Sequence, residues 1–220
     1  MSATAKRALV AAILAVLVCA AIGLYVGLYL INVPGSIAAV QTPSGPHLYI
    51  ATVATAEASD PHPTWVSYYG VDANSGNWRH DTTFVVPANT LVHVTIYQYD
   101  TATGLRNPFL SQPAGTVGPV LIDGTPTAVL DPTTPGHTFA IPDIGLSIPL
   151  PGAPSTAKNL CAQAPCSLSQ AHHTVTFTFK TPPKGLYRWQ CFVPCGAGFI
   201  EGNGGPMQTV GYMGGFIKSV

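Results

Sequence analysis

GLYRWQCFVPCGAG, residues 185–198, runs from an aromatic-rich strand pattern into a Gly- and Pro-rich turn that carries Cys191 and Cys195. Two cysteines at that spacing, just where a strand ends, either ligate a soft metal such as copper or close a small disulfide ring. Such a ring constrains the unfolded chain by only about 2–3 kcal/mol. The local pattern leaves both readings open. The neighbouring run HTVTFTFK (173–180) puts Val175, Phe177 and Phe179 on one face and Thr174, Thr176 and Thr178 on the other, as in a half-buried strand. HLYIATVATAE, TTFVVPA, TLVHVTIYQYD, GHTFAIP and the terminal GYMGGFIKSV read in the same way. About seven short strands separated by turn residues imply a β-sandwich or barrel. The 22 glycines and 21 prolines supply those turns.

The N-terminal region has a different character. Lys6 and Arg7 precede an uncharged apolar run from Ala8 to Val33, longer than the roughly 20 residues that span a bilayer. The apolar core of a cleaved signal peptide has only about 7–15 residues. A lipoprotein reading of Cys19 fails as well, because Val18 precedes it and apolar sequence continues beyond it. The expectation is an uncleaved single-pass anchor, its basic N-terminus in the cytoplasm and the remainder outside. Gly23 and Gly27 form a G-x-x-x-G that would let a second membrane helix approach closely.

The chain therefore divides into a cytoplasmic N-terminus and anchor (1–33), a linker and first strand (34–62) and a main β domain (63–220). Long insertions interrupt that domain at 101–135 and 147–172. Outside the cytoplasm disulfides persist, and the four cysteines beyond the anchor allow three pairings. Cys161 and Cys166 lie close together in the second insertion with no histidine between them, which favours a disulfide stapling that loop.

Composition excludes several functions. Zero formal net charge and 8% charged residues leave no electrostatic basis for nucleic-acid binding. No Ser/His/Asp, paired-carboxylate, zinc-protease or phosphate-binding pattern occurs, and only nine residues are acidic. The chain is not expected to be an enzyme by itself.

The order PANTLVHVTI, GHTFAIPDIGLSIPLPG, GLYRWQCFVPCGAG resembles the cupredoxins, and within them the exported dicopper domain of cytochrome oxidase subunit two. His137, Phe139, Pro142 and Gly145 match that domain's H-x-F-x-x-P-x-x-G strand. Tyr187, Trp189, Cys191, Cys195 and Gly196 match its aromatic strand and C-x-x-x-C-G turn. The resemblance covers about residues 82–100 and 136–220, and it implies an all-β, cupredoxin-like antiparallel Greek-key sandwich behind one transmembrane helix. The ligand pattern departs from the family. Phe199 and Gly202 stand where a histidine and a methionine are expected, and no histidine follows His173. What remains is His137, Cys191, Cys195 and Met207, a soft S,S,N,S set that suits copper.

The resemblance implies a mononuclear copper protein that transfers electrons to or within a membrane respiratory or copper-oxygenase complex. Its partner would be an integral membrane complex, reached in part through Gly23 and Gly27. The alternatives are a metal-free structural subunit of such a complex and a copper-delivery factor. The expected location is the cytoplasmic membrane of a prokaryote, with the C-terminal domain on the extracytoplasmic side. Met213 is expected in the core, Trp189 either in the core or at an electron entry, and His93 without a ligand role.

Overall fold

The computed structural model describes residues 2–26, 35–57, 64–196 and 205–220. Gly27, Tyr29, His62, Phe199 and Gly202 lie outside the described residues. The chain separates into two units, residues 1–33 and 34–220.

In the first unit, α1 (Ala3–Tyr25) begins where the Ser2 hydroxyl accepts the Ala5 N–H at 3.2 Å, an ordinary N-cap. Its 23 residues rise roughly 35 Å, enough to cross a hydrocarbon core of about 30 Å. The described span Ala3–Leu24 is apolar beyond Thr4, Lys6 and Arg7 near its start. Among the described residues, the helix's own nearby backbone aside, nothing lies within 4 Å of a Cβ added at Gly23.

The second unit is built from strands. In chain order they are β1 (Ser36–Ala38), β2 (Val40–Thr42), β3 (Gly45–Val53), β4 (Ser67–Val71), β5 (Trp78–Arg79), β6 (Thr83–Val86) and β7 (Leu91–Gln98). There follow β8 (Val120–Ile122), β9 (Thr125–Thr127), β10 (Pro135–Ile141), β11 (Leu146–Pro151), β12 (His173–Lys180), β13 (Gly185–Gln190) and β14 (Gly214–Ser219). One sheet has the order β1-β6-β14-β13-β10-β11, the other β5-β4-β3-β7-β12-β8-β9 with β2 beside β3. Most neighbours are antiparallel, but β3 runs parallel to β7, and β6 parallel to both β1 and β14. Outside α1, the described residues hold only short 3-10 turns, at Pro108–Ser111 and Pro142–Ile144.

The expected strands are present, and HTVTFTFK has the expected faces. Val175, Phe177 and Phe179 are buried, while the alternating threonines are partly exposed. Two stretches carry more structure than their composition suggests. Residues read as linker contain β1 and β2, because Ile37 is buried against β4 at Gly70, where any Cβ would collide with it. The insertions supply β8, β9 and most of β11. The inner faces meet in one core that includes Trp189, Phe84, Phe139, Tyr68 and Met213. A smaller cluster lies apart from it, where Ala51, Val53, Tyr69 and Tyr99 pack with Cys161 and Ala164 of the second insertion. Cys161 and Cys166 are disulfide-bonded with Cα atoms 5.8 Å apart, so the staple expected for that loop is formed.

Candidate metal centre

β10 and β13 lie side by side, with Ala140 opposite Gln190. β10 changes register against β11 between Pro135 and His137, and a bulge of that kind re-aims the side chain that follows it. His137 then lies fully buried. β13 ends at Gln190, and the next residue, Cys191, is also fully buried. The Cys191 N–H donates to the Met213 carbonyl at 2.8 Å, tying the loop to the segment before β14. Gln190 Nε2 donates to the Met207 carbonyl at 3.2 Å, and a Cβ on Gly196 would run into the Pro206 ring. The methionine segment is therefore packed directly on the cysteine turn.

The four candidate ligands converge. His137 Nδ1 is 3.9 Å from Cys191 Sγ, which is 3.6 Å from Cys195 Sγ, which is 3.3 Å from Met207 Sδ. The His137, Cys191 and Cys195 donor atoms lie within 4.8 Å of one another. Unlike Cys161 and Cys166, Cys191 and Cys195 are free thiols. A first-row ion about 2.0–2.3 Å from each donor needs tetrahedral ligands spaced by roughly 3.3–3.8 Å. The three consecutive separations, 3.3–3.9 Å, lie near that spacing. One imidazole, two thiols and a thioether form a donor set suited to copper.

The fold is a β-sandwich of two mixed sheets. No family model matches the chain. No curated protein matches it either. Solved structures of rusticyanin, described as a copper protein, are similar at low identity. Rusticyanin from Thiobacillus ferrooxidans is 14% identical, with 88% of this chain and 90% of that chain covered and a TM-score of 0.35. Reduced rusticyanin is 16% identical, with 86% and 87% covered and a TM-score of 0.34. Likeness at that level transfers no ligand to this chain.

The surroundings of the pocket favour charge on His137 and on Cys191 and oppose it on Cys195. Burial works against a charged His137 ring. Hydrogen bonds to Asp100 and Cys191, with the charge of both groups, outweigh it and raise the imidazole to about 9. Burial likewise opposes ionisation of Cys191, but hydrogen bonds from Cys195 and His137 and the Thr138 N–H at 3.3 Å hold its thiol well below the usual range. Cys195, donating to Cys191 and itself desolvated, is pushed up and keeps its proton. One thiolate, one thiol and one imidazolium thus coexist without the repulsion of two thiolates.

A pH dependence follows for the reduced, metal-free protein. His137 is raised above its unfolded value of about 6.5, so its contribution is complete below that pH and is lost as pH rises through about 9. Cys191 is depressed below an unfolded value of about 8.5, so its contribution is complete above that pH and is lost as pH falls through its folded value. Between roughly pH 6.5 and 8.5 folded and unfolded pairs bind the same number of protons, and the two trends cancel. Thermal midpoints should therefore be level in that window and fall on both sides. A His137→Gln variant should lose the plateau.

The other histidines face different partners. His47 Nε2 pairs with Thr95 Oγ1 at 2.8 Å, and His93 bridges Thr178 Oγ1 and the Ser44 carbonyl at 2.8 and 2.9 Å. His173 meets Asp123 at 2.6 Å, and His172 pairs with the Gln170 carbonyl. Among the described residues none joins the His137 cluster. Trp189 Nε1 donates to the Thr82 carbonyl at 2.9 Å and its ring stacks on Phe84, so it is a core residue. Sequence reading missed Asp100, whose Oδ2 accepts from His137 Nε2 at 3.0 Å. Its one signal was an acid closing the apolar strand TLVHVTIYQYD in a chain with few acids.

Proposed function

We propose that this chain is a membrane-anchored, cupredoxin-like protein that binds one copper through His137, Cys191, Cys195 and Met207 and transfers electrons to or within a membrane respiratory or copper-oxygenase complex. The observation that carries this reading is the cluster of the His137, Cys191 and Cys195 donors, the first two fully buried, with Met207 Sδ 3.3 Å from Cys195 Sγ. When bound, copper supplies a one-electron couple. The chain's residues hold the donors nearly fixed and exclude water, which keeps reorganisation small. The likeness to the dicopper domain rests on the order of His137, Cys191 and Cys195 in the sequence. Four donors in one cluster suit one ion.

Metal analysis with an optical spectrum of the detergent-purified protein tests the proposal. Expected are one copper per chain and an intense thiolate-to-copper absorption that bleaches on reduction. A colourless, labile Cu(I) would favour delivery. Absence of copper together with a Cys191–Cys195 disulfide would favour a structural subunit.

The anchor reading is supported by the length and apolarity of α1 and by Lys6 and Arg7 ahead of its apolar run. On this reading the β domain lies outside a prokaryotic cytoplasmic membrane, and Gly23 with Gly27 offers a face to a partner helix. A membrane-impermeant thiol reagent should label a Ser44→Cys variant in intact cells. Labelling only after lysis would reverse the topology.

A further inference from the structure

We propose that Asp100 is the positioning residue of the metal centre, fixing the ring of His137 and setting which copper valence the site prefers. The inference rests on the copper reading above and deepens it. Sulfur donors alone favour the monovalent ion. A carboxylate one imidazole away opposes that bias, because a negative charge in a partly desolvated place stabilises the higher-charged ion more.

The contact is built into the backbone. Asp100 lies just beyond the end of β7, and its carbonyl accepts the Ala153 N–H at 2.7 Å. Gly136, immediately before His137, gives that segment room. A Cβ there would stand 2.7 Å from the Thr101 carbonyl and 2.8 Å from Gln98 Nε2. Gly152 does the same for the backbone of Ala102. The carboxylate is then held at both oxygens, Oδ1 by the Thr101 N–H at 2.7 Å and Oδ2 by His137 Nε2 at 3.0 Å. Its side chain is 18% exposed and that of His137 is 0% exposed, so water screens the pair poorly. With Nε2–H donated to Asp100, Nδ1 is the nitrogen left facing Cys191. Such outer partners fix the tautomer of a ligating histidine and raise its basicity.

The test compares wild type, Asp100→Asn and Asp100→Glu in the detergent-purified full chain. Cu(I) and Cu(II) affinities are measured by competition with chelators of known affinity, and the reduction potential by redox titration. Circular dichroism confirms that each variant is folded. Asp100→Asn removes the charge and should lower Cu(II) affinity about 10–100-fold. Cu(I) affinity should fall by a smaller factor, and each tenfold difference between the two valences raises the potential by about 59 mV. Asp100→Glu retains the charge and should stay closer to wild type. An unchanged potential in folded Asp100→Asn overturns the inference, as does an equal shift in Asn and Glu variants or an equal loss of both valences. If Asp100→Asn does not fold, a potential in Asp100→Glu raised by a full tenfold difference would equally overturn it. Wild type that takes up no copper fails the functional reading itself, a result distinct from a copper-loaded protein indifferent to Asp100.

Discussion

Cys191→Ser should strip the protein of copper. Cys191 Sγ lies between the His137 ring and Cys195 and accepts the Thr138 N–H at 3.3 Å. It is also the thiol that this pocket ionises, so it brings the anionic charge to the ligand set. A serine hydroxyl at the same place is hard, neutral at physiological pH and a poor partner for a soft ion. Loss of a mere outer partner costs roughly 10–100-fold in metal affinity, and loss of the thiolate should exceed that range. Copper content should fall to background and the visible absorption should vanish. The fold should persist, because the hydroxyl can still accept the Thr138 N–H. Cys195→Ser should also release the metal, while Met207→Leu should weaken it less, since a neutral thioether carries no charge. Copper and colour at wild-type levels in Cys191→Ser would place the metal elsewhere. Two coppers per chain, or a native Cys191–Cys195 bond, would equally end the single-copper reading.

The frame of this protein was legible because its signals are local. Alternation in HTVTFTFK is a direct imprint of the strand period and needs no knowledge of the partner strand. The same holds for the apolar run of α1 and for the cysteine spacing in 191–195. The linker-like stretch 34–45 hid β1 and β2 because one buried side chain, Ile37, anchors them, and a single residue makes no pattern. Asp100 was hidden for another reason. It lies 37 residues from His137, and the two meet only through the register of β10 and the space left by Gly136. The cysteine charge state was also illegible, since it depends on which sulfur faces the ring. Sequence left metal ligation and a disulfide open, whereas the geometry lowers the Cys191 thiol and raises that of Cys195.

Trp189 separates stability from electron transfer. Its ring is fully buried, stacks on Phe84 with centroids 5.6 Å apart and meets Tyr68 edge-on at 4.8 Å. Trp189→Ala removes this volume and leaves a cavity between the sheets, a change that typically costs about 3–5 kcal/mol. Native domains hold only about 5–15 kcal/mol in total, so much of the stability would go. For a unit of this size each kcal/mol moves the melting midpoint by roughly 2–4 °C, giving a drop on the order of 6–20 °C. Trp189→Phe keeps most of the packing and forfeits the indole N–H donated to the Thr82 carbonyl. That carbonyl also accepts the Phe216 N–H at 3.0 Å, so it is not orphaned, and the cost should be only about 1–2 kcal/mol. If Trp189 serves packing alone, the phenylalanine variant should keep wild-type copper content, potential and electron-transfer rate. A Trp189→Phe protein that melts normally and holds its copper, yet exchanges electrons many-fold more slowly, would make the indole part of the electron path.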